Sequence, residues 1–338
     1  MKLSITIQRK KNLMSKIRLI VLVGPTASGK TGWAKKLIKK FPLEVISADS
    51  RQVYKGLDLG SGKDKSFQQY LIDIVTPQTY FTVAEWQKLA QEKISEISQK
   101  DKIPLVVGGT GLYVDALVEG FQFPKTDLKL QKDIRHNLIS FTTDELVKIL
   151  TVLDPEAIKK IDLKNPRRII RAIEIALLSS RSYTKQKEKP PYNILILGID
   201  LPRKELYQKI DQRVDERMNE GMLEEVEGLI KKGVSKKWLK SLGLEYRFLT
   251  QYLEGERSAE NLEKTIQKLK FAIHAFARRQ LTWFRRNEAP RQRRDIFSSY
   301  GRAKSAEVPQ NGTKEDKNII WVKNYNQAEK KIKKFINM

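Results

Sequence analysis

Short apolar runs alternate with amphipathic stretches along this chain. Runs bounded by turn-forming residues predict buried strands over residues 18–23, 43–48, 71–75, 103–107 and 193–199. Between most of them, apolar residues recur every three or four positions, which predicts helices. Strands that alternate with helices predict an α/β fold with a central parallel sheet flanked by helices. In such a sheet, we expect functional residues at the carboxyl ends of the strands.

Helix starts are also visible in the sequence. A capping box pairs a hydroxyl residue with a Glu three positions later, just before an apolar pattern. The two pairs are Thr82 with Glu85 and Thr142 with Glu145. Longer amphipathic patterns predict two further helices, one from Pro202 and one over residues 259–286.

A phosphate-binding loop follows the first predicted strand. The spacing is G-x-x-x-x-G-K-T, and its residues are Gly24, Pro25, Thr26, Ala27, Ser28, Gly29, Lys30 and Thr31. A strand before this spacing and a helix after it are the context that the motif requires. We expect Lys30 to neutralise phosphate oxygens at the helix N-terminus and the Thr31 hydroxyl to ligate Mg²⁺. The chain is therefore expected to bind a di- or triphosphate.

These patterns divide the chain into a P-loop core and a helical insertion. Short helical patterns replace the strand pattern beyond residue 126, and a strand returns near residue 190. Residues 287–318 are polar, charged and rich in Arg, Ser and Gly, which predicts disorder. The predicted parts are a basic N-terminal arm (1–17), the P-loop core (18–125 and 190–286), the helical insertion (126–189), the disordered segment (287–318), and a C-terminal strand and helix (319–338).

The charge of the chain favours a polyanionic partner. Lys plus Arg number 65 and Asp plus Glu number 40, which gives a formal net charge of +25 at pH 7. Nucleic-acid binding requires such an excess, and a merely solubilising surface is the alternative. The absence of Cys excludes thiol chemistry, disulfides and Cys-based zinc sites. No apolar run could span a bilayer, so we expect a cytoplasmic protein without membrane contact, and a monomer.

Asp49 follows the second predicted strand and is expected beside the phosphate loop. A carboxylate at this place can hold Mg²⁺ through water or take a proton from a nucleophile. The alternative is a turn in which the Asp49 side chain closes the strand.

Two glycines and Thr110 follow the fourth predicted strand, where a typical P-loop NTPase has a metal-binding Asp. Gly108 and Gly109 predict a backbone that a ligand approaches closely, with the Thr110 hydroxyl directed at that ligand. A glycine-rich turn without a ligand is the alternative. Either way, the missing Asp argues against an ordinary ATPase.

Arginines form three further candidate sites. Arg213 and Arg217 lie one helical turn apart and could clamp a leaving diphosphate, although Asp211 and Asp215 beside them also allow a surface ion-pair lattice. A second group, near a helix start, predicts phosphate contacts; it consists of Arg167, Arg168 and Arg171. The third is the segment 271–286, where Arg and aromatic residues suit RNA binding or, equally, a solvated face over a buried aromatic stripe.

Taken together, six segments resemble the tRNA dimethylallyltransferase family, the isopentenyltransferases that modify the adenosine 3′ of the anticodon. They occur in the order typical of that family and cover about residues 18 to 286. The segments are GPTASGKT, SADSRQVYKGLDLGSGK, IPLVVGGTGLY, NPRRIIRAIE, KIDQRVDERM and RRQLTWFRR.

The resemblance implies transfer of a dimethylallyl group from its diphosphate to adenine N6, with Mg²⁺ as cofactor. The implied partners are dimethylallyl diphosphate and the anticodon stem-loop of tRNA. Asp49 would be the general base on N6, and the implied diphosphate-binding and activating residues are Lys30, Thr31, Thr110 and Arg213. The implied tRNA contacts are Asp49, Ser50, Arg51, Gln52, Thr110, Lys132, Arg167, Arg168, Ile169, Ile170 and Arg171.

The chain departs from the family pattern at two places. Lys132 lies near the position after Asp127 where the family commonly has Arg, and it would substitute for that phosphate contact. The usual Gly-Tyr-Lys/Arg segment reads Gly243-Leu-Glu-Tyr-Arg247. Other functions also remain open: prenyl transfer to free adenine nucleotides, a P-loop kinase acting on a small metabolite, and non-catalytic RNA binding.

Overall fold

The structure is a computed structural model that describes residues 17–123, 127–178, 186–286 and 318–337. The predicted basic arm, apart from Ile17, and the predicted disordered segment, apart from Asn318, lie outside these residues. The described residues form two compact units, which are described separately below. One consists of Glu119–Pro190, and the other combines the chain before and after it.

The larger unit is built on a six-stranded parallel sheet with the order β3-β2-β4-β1-β7-β8. This confirms the predicted α/β class. A two-stranded antiparallel pair, β5 with β6, belongs to the smaller unit. The strands are β1 (Ile17–Val23), β2 (Leu43–Ser47), β3 (Gln69–Tyr70), β4 (Ile103–Gly108), β5 (Phe121–Gln122), β6 (Gln186–Lys187), β7 (Tyr192–Ile199) and β8 (Ile319–Val322).

Helices cover both faces of the large sheet, which explains why β1 is apolar at consecutive positions. Leu19 and Val21 face one hydrophobic cluster, whereas Ile20 and Leu22 face the other. The helices are α1 (Lys30–Leu37), α2 (Val83–Ser98), α3 (Gly111–Val118), α4 (Leu128–Leu138), α5 (Thr143–Leu153), α6 (Pro155–Ile158), α7 (Pro166–Leu178), α8 (Arg203–Asn219), α9 (Met222–Lys231), α10 (Lys236–Leu242), α11 (Leu244–Glu254), α12 (Ala259–Phe284) and α13 (Tyr325–Ile336).

Both predicted capping boxes are present. Thr82 caps α2 and Thr142 caps α5, each through reciprocal hydrogen bonds with the Glu three residues later. These bonds satisfy N–H groups that the first helical turn leaves without partners, so the local sequence alone fixes where the two helices begin.

The predicted strand over 71–75 is wrong. Pairing with β2 ends at Tyr70, opposite Ile46. Leu71 and Asp73 then adopt positive φ values of 63° and 53°, which turn the chain out of the ladder. The Leu71 side chain nevertheless packs into the core. Its apolar character therefore reflects burial rather than strand pairing.

The smaller unit has its own apolar core, formed by α4, α5, α6 and α7. A buried carboxylate lies beside that core. Glu174 accepts hydrogen bonds from Gln131 at 2.7 Å, from Arg135 at 2.7 Å and from Arg171 at 2.9 Å. Because a buried charge is costly unless it is paired, these partners are what allow Glu174 to occupy this position.

Candidate active site

The phosphate loop connects β1 to α1 at the carboxyl edge of the sheet. Gly29 precedes the helix with a φ of 87°, a left-handed conformation that favours glycine. Lys30 opens α1, and its Nζ donates to the carbonyl oxygens of Gly24 at 2.9 Å and Pro25 at 2.7 Å. The side chain therefore folds back over the loop, so its charge lies where an anion would meet the helix N-terminus.

A pocket of about 400 Å³ opens above this loop. Its walls bring together residues that are far apart in sequence. They include Thr26, Ala27, Ser28, Gly29, Lys30, Thr31, Asp49, Arg51, Gln52, Arg213, Arg217, Glu245, Phe276 and Gln280. The sequence-predicted loop, Asp49 and the arginine pair of α8 thus share one cavity.

Cations crowd this pocket and repel each other. Burial, reinforced by Arg213, lowers the pKa of Lys30 to about 7. Burial and the neighbouring Arg217 lower the pKa of Arg213 to about 9, so its guanidinium remains charged at neutral pH. Arg213 donates to the Thr26 hydroxyl at 2.6 Å, while its buried Nε makes no hydrogen bond. A bound polyanion would relieve this repulsion and give the buried donor a partner.

The Asp49 carboxylate both closes a turn and lines the pocket. Its Oδ1 accepts a hydrogen bond from the Arg51 N–H at 2.9 Å, which is the turn considered as its alternative role. The carboxylate also lines the pocket. Because one oxygen is engaged by the turn, the side chain is oriented, and a carboxylate has further lone pairs for an incoming proton.

Thr110 lies beside Asp49 but is not among the pocket-lining residues. Its hydroxyl accepts from the Ser50 N–H at 3.1 Å, and its own N–H donates to the carbonyl of Ala48 at 3.2 Å. Thr110 therefore ties the carboxyl end of β4 to the turn that carries Asp49. Ser50 likewise contributes its backbone to this turn.

Close packing against other parts of the protein explains why glycines flank Thr110. A Cβ on Gly108 would lie 2.2 Å from the Ala48 carbonyl oxygen. One on Gly109 would lie 2.4 Å from Gln280, and one on Gly111 would lie 2.2 Å from Trp283. The close approach predicted for a ligand at this segment is thus made by α12, together with the chain after β2.

Sequence reasoning missed Glu245, which compensates the cations. Its side chain is 4% exposed. Its carboxylate forms an ion pair with the Arg51 guanidinium at 2.7 Å and lies 3.9 Å from the Arg217 guanidinium. The signal in the sequence was its place in segment 243–247, which departs from the family pattern and has an acidic residue before the Tyr. Arg51 also lies over the Phe276 ring, at 5.6 Å from its centroid. These contacts fix one wall of the pocket.

Glu225 holds the loop that forms a second wall of the pocket. Its carboxylate accepts three backbone N–H groups, from Asp58 at 2.8 Å, Leu59 at 2.6 Å and Gly60 at 3.1 Å. The Tyr246 hydroxyl donates to the same carboxylate at 2.9 Å. Four donors on one carboxylate make this loop rigid where it meets the pocket.

Gln52 is fixed from two sides. Its Oε1 accepts from the Ser47 hydroxyl at 2.9 Å, and its Nε2 donates to the carbonyls of Ser61 at 3.4 Å and Gly62 at 3.2 Å. Since Gln52 also lines the pocket, its amide is presented in a single orientation.

The segment 271–286 has mixed roles. Phe284 is buried, and Trp283 donates to Asp115 at 2.9 Å. Arg285 pairs with Asp200 at 2.7 Å and lies over the Trp321 ring. The aromatic residues in the last turn of α12 are therefore engaged within the protein, whereas RNA binding by the rest of the segment stays a prediction.

The insertion presents some of its predicted tRNA contacts and buries others. Arg167, Arg168 and Lys132 are exposed. The side chains of Ile169 and Ile170 are buried in the insertion core, so a tRNA contact at these two positions would have to come from the backbone, and it stays a prediction. Arg171 is half-buried and held by Glu174, so part of its charge is already compensated.

The oxygen donors in the pocket fit Mg²⁺. Thr31 and Asp49 line the same cavity, and Mg²⁺ typically takes one or two protein oxygens together with substrate phosphates and water. Across the described ranges there is no group of three or more His, Asp or Glu that could hold a metal without such a substrate. None of the described helices is long and apolar enough to cross a membrane.

Comparisons with known proteins agree with this geometry. The family model "IPP transferase" matches residues 52–287. A tRNA dimethylallyltransferase 2 of Shewanella sediminis is 42% identical over 279 residues, which is 81% of this chain and 91% of the relative. A tRNA dimethylallyltransferase of Acetivibrio thermocellus is 38% identical over 282 residues, or 80% and 89% of the two chains.

Solved structures point the same way. A tRNA isopentenylpyrophosphate transferase of Bacillus halodurans superimposes with a TM-score of 0.62 at 31% identity, with 95% of each chain covered. The corresponding enzyme of Staphylococcus epidermidis gives a TM-score of 0.61 at 30% identity, with 95% of this chain and 99% of that chain covered. These matches confirm the resemblance drawn from the six segments, and the chain belongs to the IPP transferase family of prenyl-transferring enzymes.

Proposed function

We propose that this protein transfers a dimethylallyl group from dimethylallyl diphosphate to N6 of the adenosine 3′ of the anticodon in tRNA. The products are N6-isopentenyladenosine and diphosphate. One observation carries the proposal: Asp49 shares a cavity with Lys30 and Arg213. A base and a cationic leaving-group site therefore face the same space, as a transfer from a diphosphate to an amine requires.

The leaving group determines what the cations do. The bond between C1 of the dimethylallyl group and the diphosphate oxygen breaks, and negative charge grows on that oxygen. Lys30, Arg213 and the N-terminus of α1 stabilise this charge within a partly buried cavity, where electrostatic stabilisation is stronger than in water. The allylic carbon gains cationic character at the same time.

The acceptor side depends on Asp49. The N6 lone pair forms the new bond to C1, and the N6 proton passes to the Asp49 carboxylate. An exocyclic amine is a weak nucleophile, so removal of this proton as the bond forms accelerates the transfer. The adenine must leave the anticodon stack to reach the cavity, which favours a base that is already single-stranded.

Mg²⁺ would be held by the Thr31 hydroxyl together with diphosphate oxygens, and Asp49, which lines the same cavity, could contribute its carboxylate through water. It would supply charge neutralisation of the departing diphosphate. Lys30 and Arg213 carry out the same task from the protein side, and their positions are fixed by the contacts described above.

The main alternative is prenyl transfer to a free adenine nucleotide. A mononucleotide does not require an extended basic surface, whereas this chain has a net charge of +25 and the exposed pair Arg167 and Arg168 on its insertion. A P-loop kinase is disfavoured because Gly108, Gly109 and Thr110 occupy the strand end where a metal-binding Asp is typical.

The purified chain should convert unmodified tRNA to a product containing N6-isopentenyladenosine when dimethylallyl diphosphate and Mg²⁺ are supplied. Nucleoside mass spectrometry after digestion measures the product, and AMP serves as the competing acceptor. Lys30→Ala should abolish transfer while tRNA affinity in a filter-binding assay stays unchanged. Prenylation of AMP but not of tRNA would contradict the proposal, as would undiminished turnover by Lys30→Ala.

Asp49→Asn should lower kcat by roughly 10²–10⁴, the usual effect of removing a general base. The amide keeps the turn to Arg51 but cannot accept the N6 proton. Single-turnover transfer with saturating tRNA and donor measures the effect. Asp101→Asn is the matched control, because Asp101 is exposed at the opposite end of β4. A loss below about threefold in Asp49→Asn would leave this residue with a turn role only.

Removal of Arg167 and Arg168 should flatten the salt dependence of tRNA binding. Each phosphate contact contributes nearly one unit to the slope of log affinity against log salt, so the double Ala variant should lose roughly 1.5–2 units. The control removes the same charge elsewhere, with exposed Lys330 and Lys331 of α13 changed to Ala. Equal slopes for the two variants would show that only net charge matters and would contradict a specific contact on the insertion.

A further inference from the structure

One buried amide in the pocket wall connects the two halves of the candidate site. Gln280 of α12 is 8% exposed. Its Oε1 accepts the Thr26 N–H at 2.8 Å, and its Nε2 donates to the Gly109 carbonyl at 2.8 Å. A single side chain from a distant helix thus spans the phosphate loop and the carboxyl end of β4.

The glycine-containing connection after β4 packs closely against Gln280 and its helix. A Cβ on Gly109 would lie 2.4 Å from Nε2 of Gln280. One turn further along α12, Trp283 fills the space beside Gly111 and donates to Asp115 at 2.9 Å. Two glycines therefore admit α12 against the β4–α3 connection, and Gln280 is the polar contact within this packing.

On the side of the site that would bind the prenyl donor, Gln280 contacts Thr26 of the phosphate loop. The Thr26 N–H is committed to the Gln280 carbonyl, so it is not available to a phosphate. The Thr26 hydroxyl accepts from Arg213 at 2.6 Å. Gln280 therefore holds the backbone of Thr26, and the Thr26 hydroxyl holds the Arg213 guanidinium.

On the side of the site that would bind the adenine, Gln280 contacts the backbone of Gly109. The next residue, Thr110, accepts the Ser50 N–H at 3.1 Å, and Ser50 directly follows Asp49. The distance between the base and the phosphate loop thus depends on a short path through Gly109, Gln280 and Thr26.

We propose that Gln280 is a positioning residue that fixes the phosphate loop against the strand end carrying Thr110, and so sets the diphosphate and the base at the separation that transfer requires. This role rests on the proposed function. Small displacements of reacting groups are costly, since an error of about 1 Å can reduce a rate about 10²-fold.

The chemistry of the contact gives a specific signature. Gln280 must accept on one atom and donate on the other. An ionised Glu offers only acceptors and would oppose the Gly109 carbonyl, whereas a protonated Glu offers one donor and one acceptor and reproduces the amide. Met fills a similar volume and offers neither.

The experiment measures kcat and both KM values for Gln280→Glu and Gln280→Met between pH 5.5 and 8.5, relative to the unchanged protein at each pH. Gln280→Met should lose about 10- to 100-fold in kcat/KM for the donor at every pH. Gln280→Glu should show a similar loss at pH 8.5 and should regain activity relative to the unchanged protein as the pH falls. The affinity for tRNA should stay within about twofold, because the insertion is untouched.

Gln87→Glu and Gln87→Met are matched controls. Gln87 is a second buried amide, on α2, where its Nε2 donates to the Ala116 carbonyl at 2.7 Å outside the pocket. Its variants should lower stability without a pH-dependent change in relative activity. Urea unfolding of all four variants separates stability from activity.

A pH-independent activity ratio for Gln280→Glu would overturn the proposal, and so would normal kinetics in both Gln280 variants. Loss of folding in both at every pH would assign Gln280 to stability alone and overturn it as well. If the unchanged protein itself transfers no prenyl group to tRNA, the proposed function fails instead. The two failures are therefore distinguishable.

Discussion

Crowding of like charges at the carboxyl edge of the sheet is the constraint on which the site depends. Lys30, Arg51, Arg213 and Arg217 line one pocket, and burial together with mutual repulsion depresses the pKa values of Lys30 and Arg213. Glu245 compensates two of the arginines but does not pair with Lys30. The remaining positive potential is directed at the loop where backbone N–H groups and the start of α1 already favour an anion. The fold thus maintains a positive electrostatic potential at the place where a diphosphate leaving group would bind.

Rigidity around this potential comes from side chains that each hold backbone at two or more points. Glu225 gathers three N–H groups of one pocket loop, and Gln280 bridges the phosphate loop to β4. Preorganised dipoles and charges need little rearrangement as charge develops, which is the main advantage of a folded site over water. The insertion exposes Arg167 and Arg168, which we expect to contact the phosphates of a larger anionic partner.

The sequence predicted those features that are encoded locally. The phosphate loop, both capping boxes and the apolar patterns of the central strands each depend on residues within a few positions of one another, so these patterns survive without tertiary information. Gln280 and Glu245 could not be found in this way, since their partners lie 254 and 194 residues away in the chain. The glycines at the end of β4 and after it suggested a ligand because their actual neighbours, Ala48 and α12, come from remote segments. The burial of the Ile169 and Ile170 side chains was not apparent, because the run of arginines around them masked an amphipathic helix whose apolar side is buried.

The central claim is that the donor diphosphate neutralises a cluster of buried cations in which Lys30 has a pKa of about 7. The most direct test is calorimetry of dimethylallyl diphosphate binding at pH 8 in buffers with different ionisation enthalpies. A depressed Lys pKa that rises on binding requires proton uptake above the free-state value, and phosphate groups with a second pKa near 6 are already ionised there. The account predicts uptake of about one proton per donor bound, which Lys30→Met should eliminate. Binding without proton uptake, or the same uptake in Lys30→Met, would contradict it.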